Sequence, residues 1–149
     1  MDCQKYKDGV SLRPILDMCN SPYHVLVKWL AKLLEPVRVS LAKHYVQDTF
    51  TLVEKIRDIN LVDRTMLSLN VSSSFTNVPI SETIEYLCSY LRTNNVELGL
   101  PLDDLKQLLY FCTYNVQFKF NEEIYRQKDG VAMGSPLGTF FRGFIHGEV

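Results

Sequence analysis

Between residues 67 and 72 apolar and polar side chains alternate strictly, Leu67, Leu69 and Val71 against Ser68, Asn70 and Ser72. A period of two is the pattern of a strand with one face in a core, so a strand is predicted here, with Asn70 on the face that looks toward a site or solvent. The pattern stops at Pro79, and helical spacing follows at once. Ser81 can cap that helix, Glu82 and Glu85 suit the positive end of its dipole, and Ile84, Leu87, Cys88 and Leu91 form its buried stripe. Asn70 is therefore expected near the open end of a sheet, where polar side chains can converge on a ligand.

Upstream, residues 1–12 are polar and turn-like, ending in Lys7-Asp8-Gly9-Val10. Leu12-Arg13-Pro14-Ile15-Leu16 reads as an edge strand or extended segment, with Arg13 an exposed charge on it. Ser21-Pro22 supplies a cap and a first-turn proline. Leu26, Trp29, Leu30, Leu33 and Leu34 then recur at helical spacing as far as Pro36. A less regular helical pattern covers 37–59, with Val39, Tyr45, Val46, Leu52, Val53 and Ile56 expected inward, and Trp29 and His44 at the edge of the core. Downstream of the helix at 81, Asn94-Asn95 and Gly99-Leu100-Pro101 break the pattern. Leu102, Leu105, Leu108, Leu109 and Cys112 begin another helix, whose Asp103 and Asp104 offset its dipole on the surface rather than pair on a metal. Val116, Phe118 and Phe120 alternate with Gln117 and Lys119, Asn121-Glu122-Glu123 turns the chain, and Ile124 to Gln127 completes a hairpin. A glycine-bounded loop, 128–134, leads to Ser135-Pro136, the start of an aromatic-rich, glycine-interrupted helix.

With 149 residues, 46% of them hydrophobic, the chain suits one domain, burying roughly 70% of its unfolded surface. Net charge is -1, so overall basicity gives no pull toward nucleic acid; any such attraction must be local. The first 43 residues are the more positive part, with seven Lys and Arg against four Asp and Glu. Cys3, Cys19, Cys88 and Cys112 show neither C-x-x-C pairing nor zinc spacing, and read as buried or idle thiols. No apolar leader follows Met1, and the apolar run 25–34 is too short to span a bilayer and is broken by Lys28 and Lys32. An intracellular, soluble protein without a membrane partner is expected.

The order strand, helix, helix, hairpin, loop, helix predicts an α+β domain with a small antiparallel sheet covered by helices. Asn70, the glycine loop and the helix start at Ser135 can meet in it. Gly130 and Gly134 allow a ligand to approach the backbone closely, and an exposed helix N-terminus favours phosphate. Taken alone, such a loop is also a common structural turn, and Phe75 alone reads as a core residue.

Together these segments resemble a known family. Leu69-Asn70-Val71-Ser72-Ser73-Ser74-Phe75-Thr76-Asn77-Val78-Pro79 is similar to the first palm motif of Penelope-like retroelement reverse transcriptases, Asp-Val-x-Ser-Leu-Phe-Thr-Asn-Val/Ile-Pro. Tyr125-Arg126-Gln127-Lys128-Asp129-Gly130-Val131-Ala132-Met133-Gly134-Ser135-Pro136-Leu137-Gly138 resembles the next palm motif nearly letter for letter. Arg13-Pro14-Ile15, Ser21-Pro22-Tyr23 and Trp29-Leu30-Ala31 resemble its fingers segment. The resemblance implies part of a right-hand polymerase, a single partial domain over 1–149: fingers over about 1–60 and palm over about 61–149. It further implies RNA-directed DNA polymerase ancestry, Mg2+ as cofactor, primer-template and deoxynucleoside triphosphate as partners, and nuclear residence. Phe75 matches the aromatic under the incoming sugar. Gln127, Gly130, Gly134, Ser135 and Pro136 match the loop that positions nucleotide and template, and Arg13 matches a residue facing the triphosphate.

The sequence departs from that family where the chemistry is done. Two-metal nucleotidyl transfer needs carboxylates to hold and bridge the ions. The first of these positions is Asn70, whose amide oxygen brings no charge and cannot bridge. No Tyr-x-Asp-Asp occurs in these 149 residues, which end before the last palm strands would begin. Upstream fingers, thumb and GIY-YIG-type nuclease segments are missing as well. Ser74 stands where Leu is usual and Thr139 where Pro is usual, each costing about a kcal/mol. The expectation is thus a catalytically inactive reverse-transcriptase fragment, with Asn70 marking the degenerate metal position. The alternatives are a nucleic-acid-binding remnant and a decayed reading frame.

Overall fold

A computed structural model describes residues 3–5, 12–19, 21–41, 46, 48–60, 62–68 and 73–146. The fold is α+β, with five helices and two small antiparallel strand pairs among the described residues. β1 (Cys3–Lys5) pairs with β2 (Leu12–Pro14), setting Gln4 opposite Arg13. The sequence pattern gave no sign of β1, because residues 3–5 carry no alternation of apolar side chains.

Helix α1 (His24–Leu41) runs straight through Pro36, whereas the sequence pattern ends a helix there. A proline inside a helix deletes one backbone bond and crowds the preceding turn. Here the buried stripe continues on both sides of it, through Val27, Leu30, Leu34 and Val37. Each fully buried leucine contributes about 1.5–3 kcal/mol, enough to hold one helix across the lost bond. The chain enters α1 through a turn in which Ser21 Oγ accepts the Tyr23 N–H at 3.3 Å and the Ser21 carbonyl accepts the His24 N–H at 3.0 Å.

Helix α2 (Thr49–Ile56) is capped by Asp48, whose carboxylate accepts the Thr51 N–H at 2.8 Å. None of its residues is buried. Leu52, Val53 and Val39, expected inward, are exposed, and Val46 and Ile56 are half-buried. Tyr45 and His44 lie outside the described residues. The apolar side chains of α2 follow a helical period, yet no described element packs closely against it. Periodicity alone identifies an amphipathic helix without supplying its partner.

Helices α3 (Ile80–Thr93) and α4 (Leu102–Tyr114) pack on each other. Ser81 does not cap α3. Pro79 occupies the cap position, and Ser81 Oγ instead meets Tyr114 Oη of α4 at 2.8 Å. Across the same seam Lys106 Nζ lies 2.6 Å from Glu85, which also accepts from Tyr110 Oη at 3.3 Å. The Lys106 ammonium holds the Glu85 carboxyl below its usual range. Asp103 and Asp104 sit exposed in the first turn of α4, as a dipole-offsetting role requires.

β3 (Gln117–Phe120) and β4 (Glu123–Arg126) form the predicted hairpin, and Asn121 and Glu122 turn it at φ 48° and 66°. Two positive φ values suit the right-handed twist of a two-residue hairpin turn. Helices cover the hairpin only in part: Phe118 of β3 packs against the core, whereas all four β4 residues are exposed. Helix α5 (Pro136–His146) closes the core by packing on α1 and α3. Leu30, Leu34, Ile84, Leu87, Leu105, Leu109, Leu137 and Phe141 are fully buried in a single cluster.

The strand expected at 67–72 fares differently. Residues 64–68 form no strand, and Leu67, expected on a core face, is 82% exposed. Residues 69–72, and Asn70 with them, lie outside the described residues. No helix among the described residues is long and apolar enough to cross a membrane.

Candidate functional site

The loop after the hairpin is folded by its own polar groups. The Gln127 N–H donates to the Val116 carbonyl at 3.1 Å, extending the ladder by one pair, and Gln127 Nε2 donates to the Asp129 carbonyl at 3.0 Å. The chain then enters Gly130 at φ 68°, a left-handed conformation that glycine adopts without strain.

Two distant segments close on this loop. Residues 73–77 form a tight turn in which the Ser73 carbonyl accepts the Asn77 N–H at 3.1 Å and Thr76 Oγ1 at 3.2 Å. The Phe75 carbonyl at the middle of that turn accepts the Val131 N–H at 2.8 Å. A Cβ on Gly130 would overlap the Phe75 carbonyl oxygen and stand 2.5 Å from Thr76 Cα. From the other side, the Leu16 N–H donates to the Met133 carbonyl at 2.9 Å, and Ile15 and Met133 form a parallel bridge. At Gly134, φ 96°, a Cβ would collide with the Leu16 carbonyl. The two glycines thus serve two backbone junctions, one with the Phe75 turn and one with the continuation of β2.

Ser135 is buried, its N–H donating to the Ala132 carbonyl at 3.1 Å, and Pro136 opens α5 as expected. One turn into that helix, a Cβ on Gly138 would lie 2.5 Å from the Ala132 carbonyl and 3.6 Å from Phe75 Cδ1. The half-buried Phe75 ring therefore rests beside α5, and the Arg142 guanidinium carbon stands 5.2 Å from the ring centroid. A cation over an aromatic face is attractive by about 0.5–1 kcal/mol at exposed sites.

Phe75, Gly130, Gly134, Ser135 and Pro136 are thus brought together. Gln127 shapes the loop from within. Arg13 stands in β2, two residues before the Ile15 bridge. Sequence reasoning gave no role to Gly138 or Arg142. A glycine inside an apolar helical pattern signals a close approach and could have marked Gly138, whereas nothing in the spacing of Arg142 points to Phe75.

Arg126, Lys128 and Arg142 are exposed around the loop, with Asp129 the one acid within it. Among the described residues there is no group of three or more His, Cys, Asp or Glu able to hold a metal ion. Comparison with protein-family models, with curated proteins and with solved structures gives no match.

Proposed function

We propose that this chain is a fingers and palm fragment of a Penelope-like reverse transcriptase without nucleotidyl-transfer activity of its own. The observation that carries the reading is the junction at Phe75. Segments from the two palm motifs are joined by the Val131 N–H to Phe75 carbonyl bond, and the fingers-like strand reaches the same loop through Met133. Three blocks far apart in the sequence, each resembling one family, converge within a few residues.

In this reading Phe75 lies against the sugar of a deoxynucleoside triphosphate, Arg13 faces its phosphates, and the loop 127–136 supports nucleotide and template. The chemistry fails for want of charge. Asn70 brings a neutral oxygen where a bridging carboxylate is required, and no Tyr-x-Asp-Asp occurs within these 149 residues. Purified protein offered a primer-template, deoxynucleotides and Mg2+ or Mn2+ is expected to extend nothing. Incorporation abolished by Asn70→Ala would overturn the proposal.

The exposed Arg126, Lys128 and Arg142 favour a second reading, in which the loop still binds nucleic acid without turnover. Each phosphate contact made by a cation steepens the dependence of affinity on salt. A remnant binder shows a log-log salt slope that falls on Lys128→Gln, with no extension at any salt concentration. Binding whose salt dependence is flat would sink this second reading.

A further inference from the structure

We propose that the outer edge of β4 pairs with the same edge of a second copy of this chain. The Gln127 N–H to Val116 carbonyl bond identifies 116 and 127 as a hydrogen-bonded pair. Alternation along an antiparallel ladder, with Phe118 opposite Tyr125 and Phe120 opposite Glu123, then turns the backbone groups of Glu123, Tyr125 and Gln127 toward β3. Those of Ile124 and Arg126 face outward. Among the described residues no strand pairs with that edge. All four β4 residues are exposed, Ile124 at 75%.

Ladder parity allows a two-fold axis at Ile124, Tyr125 or Arg126, and the axis at Tyr125 is the one that opposes the two Tyr125 side chains. Ladder parity lets Ile124 pair only with an outward residue, and a two-fold axis at Tyr125 sets Ile124 of one copy opposite Arg126 of the other. That register makes four backbone bonds, two at each such pair. It also brings the two Tyr125 side chains together as a directly opposed pair, the geometry in which cross-strand aromatics meet most closely. Because Phe118 and Tyr125 already stack at 5.6 Å between centroids, the aromatic row would run Phe118, Tyr125, Tyr125, Phe118 across both copies. Glu122, whose carboxylate also pairs with Lys119 of its own copy at 2.5 Å, falls opposite Lys128 of the other copy, so unlike charges meet at both ends. An uncovered edge of this kind is a pairing template unless charge or proline blunts it, and here its charges favour self-pairing.

Sedimentation equilibrium of the 149-residue chain over a range of concentrations tests this, with circular dichroism as the check on folding. The wild-type chain is expected to dimerise. Ile124→Pro deletes an N–H that the hairpin itself does not use, removes two of the four intermolecular bonds, and should weaken association by roughly tenfold or more. Glu122→Lys and Lys128→Glu should each weaken it, and the double exchange should restore it. A chain that is monomeric throughout, a dimer indifferent to Ile124→Pro, or a double exchange no better than the single ones would each overturn the proposal.

Discussion

Gly130 and Gly134 illustrate how single residues decide whether this site exists. Gly130 combines a left-handed backbone with a neighbour, the Phe75 carbonyl, that occupies the space a side chain would need. The neighbour is backbone, so it cannot move aside by changing rotamer. Gly130→Ala is accordingly expected to cost the left-handed penalty of about 1–2 kcal/mol and an overpacking penalty of about 1–3 kcal/mol more. A denaturant melt should show a fall in midpoint of that size. Gly99→Ala is the control: its φ is 71°, but a Cβ there meets nothing within 4 Å, so only the backbone penalty applies.

Among elements, α1 shows packing overriding a local rule. Pro36 sits inside the helix with Val37 buried just beyond it. Pro36→Ala restores a backbone donor and relieves the crowding, and should stabilise the protein by about 1–3 kcal/mol, less the entropy that proline removes from the unfolded chain. An unchanged or lowered melting temperature would count against this account of α1. The hairpin, α3 and α4 were legible in the sequence because their signals are local, with alternation flanking Asn121-Glu122 and leucines at helical spacing. The same kind of signal predicts a strand at 67–72; residues 67 and 68 do not form one and Leu67 is exposed, while 69–72 lie outside the described residues. Of the candidate site, the glycine loop and the helix start at Pro136 could be read from the letters. The close approach of Gly138 and Arg142 to Phe75 depends on how α5 docks on α1 and α3, which no short window of sequence records.

For the molecule as a whole, the buried cluster shared by α1, α3, α4 and α5 predicts one cooperative transition, and a decayed, unfolded frame would show none. The cluster includes Cys112, whose thiol is pushed up from 9.0 to about 11 by burial. An acid whose folded pKa is raised keeps its proton in the native state while the unfolded chain has already lost it. Stability from this group is therefore complete below about pH 9 and declines as pH rises toward 11. Cys88, also raised by burial, acts in the same direction. Melting temperatures should fall across that window, and Cys112→Ala should flatten part of the fall. A profile just as steep in that variant would remove Cys112 from the explanation.

The seam between the Phe75 turn and the residue 131 amide also constrains how the molecule is made. Its two sides, and the Leu16 to Met133 seam beside it, come from well-separated parts of the chain. A nascent chain on the ribosome can therefore form α1 and α3 long before it can build either seam. Until α5 emerges, the apolar stripes that α5 will cover stand open to water and to other chains. Synthesis stalled before residue 131 would release a helical intermediate with a sticky flank, and chaperones would have the strongest hold on the protein at that moment.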